Sequence, residues 1–304
     1  MTKIPPYLKQ GDTIGIVAPA GFMPFEKMQT CIDTLQEWGY AVKLGDTTHS
    51  TSQNFFSGND DERLADLQQM MDDKTVKAVF CARGGYGITR IIDRINFRQF
   101  KRRPKWIIGF SDVSVLQAHV FSKYRIASLH APMAAAFNDG EAANPFIQSL
   151  KNAIEGKPAE YITPVHQFNK LGETKAELVG GNLCLLAHII GTSSDIRTKR
   201  KILFLEDVGE QLYNIDRMFL QLKRSGKLDK LAGLIIGGFT DGKDTERPFG
   251  RSVEEIIYEH VKEYKYPICF GFPVSHEKEN YALKVGGAYS LHITKETVVL
   301  KEKA

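Results

Sequence analysis

The first 125 residues repeat one pattern: a short apolar run rich in β-branched residues, a loop built from Gly, Pro or Ser, then a stretch with helical spacing. TIGIVAPAG (13–21) is such a run ending in a Pro/Gly loop. In FEKMQTCIDTLQEWG (25–39), Met28, Cys31, Leu35 and Trp38 recur at three- and four-residue intervals, which predicts an amphipathic helix stopped by Gly39. AVKLG reads as a second strand, and DDERLADLQQMMDD (60–73) as a helix whose acidic residues suit its first turn. KAVFCARGGYG (77–87) is a strand running into a glycine loop, with TRIIDRI continuing as a helix. WIIGF (106–110) is a further strand, followed by a helix over 112–123. Such alternation predicts an α/β fold with a parallel sheet and helices on both faces.

The pattern changes over 138–174. NDGEAANP is turn-rich, FIQSLKNAIEG reads as a short helix, and YITPVHQFNKLGETK has no helical period. A domain boundary is expected near residue 155, dividing the chain into 1–155 and 156–304. In the second part AELVGGNLCLLAHIIG joins a Gly-Gly turn to an apolar helix, ILFLED is a strand, and YNIDRMFLQLKRSG is a helix closed by Gly226. LAGLIIGGF, YPICFGFP and SLHITKETVVLK read as further strands, making a mixed α/β domain with a β-rich end.

Composition narrows the function classes. A net charge of +4 over 304 residues, with Lys and Arg dispersed, asks for no polyanionic partner, so no nucleic acid is expected. The densest basic run, KRRPK (101–105), reads as a solvated loop ahead of a strand. No segment has the length of a signal-peptide core or a membrane span. Cys31, Cys81, Cys184 and Cys269 lack CxxC spacing, so reduced, mostly buried thiols are expected rather than disulfides or zinc. The reading is a cytoplasmic protein without metal or cofactor.

In an open parallel sheet, ligands gather at the carboxyl ends of the strands. Three unusual loops fall there: APAG (18–21), RGGYG (83–87) and GFSD (109–112). Ser111 stands between a strand and a helix, as a nucleophile elbow requires, although GFSDV lacks the final glycine of G-x-S-x-G. Taken alone it reads better as a helix cap, because serine is a favoured capping residue. ARGGYG is neither a Walker loop nor a dinucleotide fingerprint. Its glycines either aim backbone N–H groups at an oxyanion or make a tight turn. Cys81 is a rival nucleophile but falls inside an apolar strand. A serine nucleophile needs a base and a carboxylate to orient it. His276 in GFPVSHEKEN follows an apolar strand and a Gly/Pro turn, in a loop able to reach a cleft. Glu206 ends the apolar ILFLED, where a solvated carboxylate is out of character; it either orients an imidazole or forms a capping pair with Asp207.

GDTIGIVAPAG, ARGGYG, IGFSDVSVL, LVGGNLCLL, ILFLEDVGE, YNIDR and GFPVSHEKEN occur together in the order and spacing of the LD-carboxypeptidase family. The chain resembles these serine peptidases, which include murein tetrapeptide carboxypeptidase and the microcin C immunity peptidases, over nearly its whole length. The resemblance implies a Ser–Glu–His triad at Ser111, Glu206 and His276. It implies an oxyanion hole from main-chain N–H groups of Gly84 or Gly85 and Asp112. It also implies a flavodoxin-like N-terminal domain related to class I glutamine amidotransferases, a swivelling C-terminal α/β domain, and a homodimer. The expected reaction removes the C-terminal D-Ala from a cytoplasmic murein tetrapeptide in wall recycling. The alternatives are hydrolysis of aminoacyl-nucleotide analogues and, from another class, non-catalytic muropeptide binding. Arg83 and Arg217 are candidates for the substrate carboxylate, or else structural ion-pair partners. The chain departs from the family after the histidine, with Glu277 in place of glycine and LKVGGAY (283–289) without the proline of the usual turn.

Overall fold

The computed structural model describes residues 2–140 and 144–303, so positions 141–143 of the turn-rich NDGEAANP stretch lie outside the described residues. The chain forms two compact units, residues 1–157 with 281–284, and residues 158–280 with 285–304.

In the first unit the elements are β1 (Thr13–Val17), α1 (Gln29–Glu37), β2 (Ala41–Leu44), α2 (Asp60–Asp72), β3 (Val76–Cys81), α3 (Ile88–Ile91), α4 (Arg98–Arg102), β4 (Trp106–Gly109), α5 (Val113–Tyr124), β5 (Ser128–His130) and α6 (Pro145–Ile154). The strands run in the order 2-1-3-4-5 with parallel pairing. Because crossovers place helices on both faces, β1, β3 and β4 are buried almost residue by residue rather than alternately. Strand order reverses between β1 and β3, and loops 18–21 and 82–87 leave the sheet there, with the loop after β4 alongside.

The second unit carries β6 (Glu160–Thr163), β7 (Gly172–Asn182), α7 (Leu183–His188), β8 (Ile202–Val208), α8 (Leu212–Arg224), β9 (Gly233–Thr240), α9 (Val253–Val261) and β10 (Ile268–Cys269). The chain then contributes β11 (Leu283–Val285) beside β5 of the first sheet, and returns as the hairpin β12 (Ala288–Ile293) and β13 (Val298–Glu302). The second sheet has the order 10-9-8-7-12-13-6. Strand β7 joins its two halves. Residues 172–177 pair antiparallel with β12, whereas 178–182 pair parallel with β8. Burial follows the pairing, alternating along the first half and continuous along the second.

Several elements differ from expectation. Pro24 precedes a 3-10 turn at Phe25–Lys27, so the first helix begins only at Gln29. The KRRPK run is not a solvated loop throughout. Lys101 and Arg102 end α4, and Lys105 is buried with its ammonium donating to Met70 O at 2.9 Å and to Asp73 O at the end of α2. Desolvation pulls that ammonium down to about 8. Gly180 and Gly181 are not a turn but the buried end of β7. A β-carbon at Gly180 would stand 2.0 Å from Phe204 O, so only glycine lets β8 lie this close.

Candidate active site

Ser111 is the last residue of the loop after β4, and its backbone is left-handed at φ +60°. A helix-capping serine takes an extended backbone and bonds a backbone N–H with its side chain. Here the capping position belongs to Asp112, so Ser111 is not the cap the local pattern allows. A left-handed serine at a strand–helix join is the geometry of a nucleophile elbow, which projects the hydroxyl off the end of the sheet.

Around Ser111 the three loops close on one another through glycines. A β-carbon at Gly84 would lie 2.8 Å from Ser111 Cβ, 3.0 Å from Ser111 Oγ and 3.2 Å from Asp112 N. The Gly21 N–H donates to Gly84 O at 2.9 Å. Because the peptide is trans, the next N–H, that of Gly85, points away from Gly21. Gly85 has φ +98° and is free to make this reversal. Gly84 and the Asp112 N–H thus lie beside the serine, while Gly85 packs against Gly21 and Phe55. Arg83 is exposed and donates through Nη1 to Phe22 O at 2.7 Å, so it bridges backbone rather than a carboxylate. Cys81 is fully buried in β3, and burial pushes its thiol up to about 12, which removes it as a nucleophile at neutral pH.

The second cluster lies in the other unit. Glu206 is completely buried near the end of β8, opposite Asn182 of β7. Its Oε2 stands 2.6 Å from His276 Nδ1. The bond selects one of the readings the sequence leaves open: Glu206 orients an imidazole. With Nδ1 on the carboxylate, the ring is held in one orientation. The loop carrying His276 is seated against β9 by glycines. A β-carbon at Gly237 would meet Val274 O at 2.2 Å, and one at Gly238 would meet Ser275 Cβ at 2.5 Å. The Gly238 N–H donates to Val274 O at 2.9 Å, and Ser275 Oγ accepts from Glu277 N at 3.0 Å.

Asp207 does not cap with Glu206. Its carboxylate accepts from Asn182 Nδ2 at 2.8 Å and from Cys184 N at 2.9 Å, tying β8 to the start of α7. Burial and then the Glu206 charge push it up to about 7. Arg217 is exposed on α8, over the ring of Tyr213 at 5.2 Å, and shares a groove with Cys184, His188 and Glu210. The sequence offered Asp207 only as a capping partner and did not single out Gly237, Gly238 or Ser275. The paired acids at the end of an apolar strand and the Gly-Gly in LIIGGF were the available signals.

Among the described residues, no group of three or more His, Cys, Asp or Glu is placed to hold a metal ion. No helix among them is long and apolar enough to cross a membrane.

The LD-carboxypeptidase N-terminal domain profile matches residues 14–131, and that of the C-terminal domain matches residues 175–291. A probable murein peptide carboxypeptidase of Bacillus subtilis is 34% identical over 300 residues, covering 98% of this chain and 94% of the relative. The crystal structure of a muramoyltetrapeptide carboxypeptidase from Oxalobacter formigenes superposes with a TM-score of 0.85 at 29% identity, over 96% of this chain and 99% of that one. The structure of MccF in complex with glutamyl sulfamoyl guanosine superposes with a TM-score of 0.87 at 19% identity over 98% of both chains, a likeness of fold. Both halves of the sequence match in their expected order, and the chain belongs to the LD-carboxypeptidase family and is a serine-type carboxypeptidase.

Proposed function

We propose that this chain removes the C-terminal D-Ala from murein tetrapeptide, L-Ala-D-Glu-(diaminopimelate or Lys)-D-Ala, in the cytoplasm during peptidoglycan recycling, with Ser111, Glu206 and His276 as its triad. The observation that carries the triad is the fully buried Glu206 carboxylate on His276 Nδ1. A buried carboxylate so placed holds the imidazole in one tautomer and stabilises the imidazolium that forms when it accepts a proton. Support for the substrate comes from the relatives named for murein peptide and muramoyltetrapeptide. The 2-1-3-4-5 strand order supports a flavodoxin-like first domain, in which the loops at the β1/β3 reversal hold the ligand.

The steps balance without a co-reactant other than water. His276 Nε2 takes the Ser111 hydroxyl proton while Oγ bonds to the carbonyl carbon preceding D-Ala. The N–H groups of Gly84 or Gly85 and of Asp112 receive the oxyanion; losing one such donor typically costs ~100- to 1000-fold in rate. The C–N bond then breaks as the imidazolium protonates the departing amine. Water, deprotonated by the same imidazole, hydrolyses the acyl-enzyme. Arg83 and Arg217 are the cations proposed for the free carboxylate of the substrate. A homodimer is part of the same reading.

Mass spectrometry of a tetrapeptide muropeptide incubated with wild type and with Ser111→Ala tests it. Loss of D-Ala with wild type alone is the expected result. Equal loss with both would remove Ser111 as the nucleophile. An untouched muropeptide in both would remove the substrate and direct the assay to aminoacyl sulfamoyl nucleotides.

A further inference from the structure

Arg63 lies in the first turns of α2, a helix whose N-terminal half is otherwise acidic, and its side chain is wholly buried. Burying a guanidinium is costly unless every donor is used. Here Nη1 donates to Pro19 O at 2.8 Å and to Gly87 O at 3.1 Å, Nε donates to Gly58 O at 3.3 Å, and Nη2 pairs with Asp60. The guanidinium also lies over the Phe56 ring, 4.7 Å from its centroid. One side chain thereby ties the loop after β1 to the loop after β3.

Asp112 is the second buried charge in this region, 1% exposed. Its Oδ2 accepts from the Ile88 N–H at 2.8 Å. The peptide joining Gly87 to Ile88 is thus held at both ends, its carbonyl by a cation and its N–H by a carboxylate. Those two groups point in opposite directions from a trans peptide. No side chain could stand at position 87, where a β-carbon would lie 2.5 Å from Arg63 Nη1 and 3.0 Å from Ala20 Cα at φ +151°. The clamped peptide starts two residues along the chain from Gly85, and the carboxylate that clamps it belongs to the residue after Ser111. Asp112 therefore joins its own backbone N–H, beside the nucleophile, to the loop that carries the glycine N–H groups.

We propose that Arg63 and Asp112 are positioning residues that grip the Gly87–Ile88 peptide from opposite sides and so set the distance between the glycine loop and Ser111. The proposal rests on Ser111 being the nucleophile. It assigns the two buried charges a task in the rate of attack rather than in substrate binding.

The test uses the full-length chain and a fluorophosphonate probe. Phosphonylation of Ser111 needs the oxyanion donors but not the natural substrate. Asp112→Ala is expected to lower the maximal phosphonylation rate ~100-fold, the cost of misplacing a reacting group by about 1 Å. The probe concentration for half-maximal rate should not change. Asp112→Asn keeps an oxygen that accepts the Ile88 N–H and should stay within about tenfold of wild type, the value of one hydrogen bond. Arg63→Met should resemble Asp112→Ala, and the double variant should be no slower than the slower single variant, because both act on one peptide. Should Arg63→Met fail to fold, the Ala/Asn contrast at Asp112 still decides. Wild-type rates in Asp112→Ala, equal losses in Ala and Asn, or multiplicative losses in the double variant would overturn the clamp. An unlabelled wild type would overturn the serine-nucleophile reading itself, and the clamp with it.

Discussion

Ser111 holds a backbone conformation that a residue with a β-carbon adopts at a cost of about 1–2 kcal/mol. Replacing it by glycine removes that cost together with the hydroxyl. Ser111→Gly should therefore unfold in urea at or above the wild-type midpoint, by up to ~1 kcal/mol after glycine's greater unfolded-state entropy is counted, while losing activity. Were Ser111 merely a helix cap, the same change would lower stability by a few tenths of a kcal/mol, so a fall in the midpoint would sink the strain account. At this scale Glu206 was readable: a carboxylate ending an apolar run marks a position where burial without a partner is costly, and its partner is His276 Nδ1. Arg63 escaped because its neighbours Asp60, Asp61 and Glu62 suggest a solvated face. Its spacing to Leu67, Met70 and Met71 puts it on the buried stripe all the same, and that was the signal to follow.

Single strands and loops decide where those residues stand, and they do so through close backbone approach more than through side chains. Strand β9 shows how. With a side chain at position 237, its first carbon would overlap Val274 O at 2.2 Å and crowd Glu206 Cβ at 3.3 Å, pushing the His276 loop off the sheet. Gly237→Ala should lower kcat at least ~100-fold through misplacement of His276, the proposed base. It should also reduce stability by about 1–3 kcal/mol through overpacking. Gly242→Ala is the control from the exposed loop just after the strand, where the nearest atom to a new β-carbon is 3.7 Å away, and it should leave both nearly unchanged. A Gly237→Ala enzyme with wild-type kcat would show that the loop's seat on β9 is irrelevant to the base. Elements with strong periodicity, such as α2, β3 and α8, lie where the pattern predicts them. The Gly-Gly at 180–181 misled for a physical reason. Glycine permits a turn, but it also permits two strands to touch, and only the neighbouring strand tells which.

The whole chain is not two consecutive domains, and this is where contiguous reading has least purchase. A boundary near residue 155 describes the outward crossing, yet residues 281–284 belong to the first unit although they arrive after most of the second. The C-terminal family profile runs through them without a break. In place, Ala282 and Leu283 are buried, Ala282 N donates to Ser149 Oγ at 2.9 Å, Tyr281 packs on Phe146 at 4.6 Å between centroids, and Lys284 Nζ reaches Tyr7 OH at 3.3 Å. Strand β11 also covers the edge of the three-residue β5. A fragment ending at residue 157 would expose that edge and leave a slot for Leu283 empty, an arrangement prone to association. Burial of one leucine and its neighbours contributes roughly 2–4 kcal/mol. A fragment of residues 1–157 should accordingly bind a hydrophobic dye and unfold at lower urea than the same fragment joined through a flexible linker to residues 279–288. Equal urea midpoints for the two would mean that the returning segment is a passenger on a unit already complete without it. A clear gap would make the last stretch before the C-terminal hairpin part of the first unit's core.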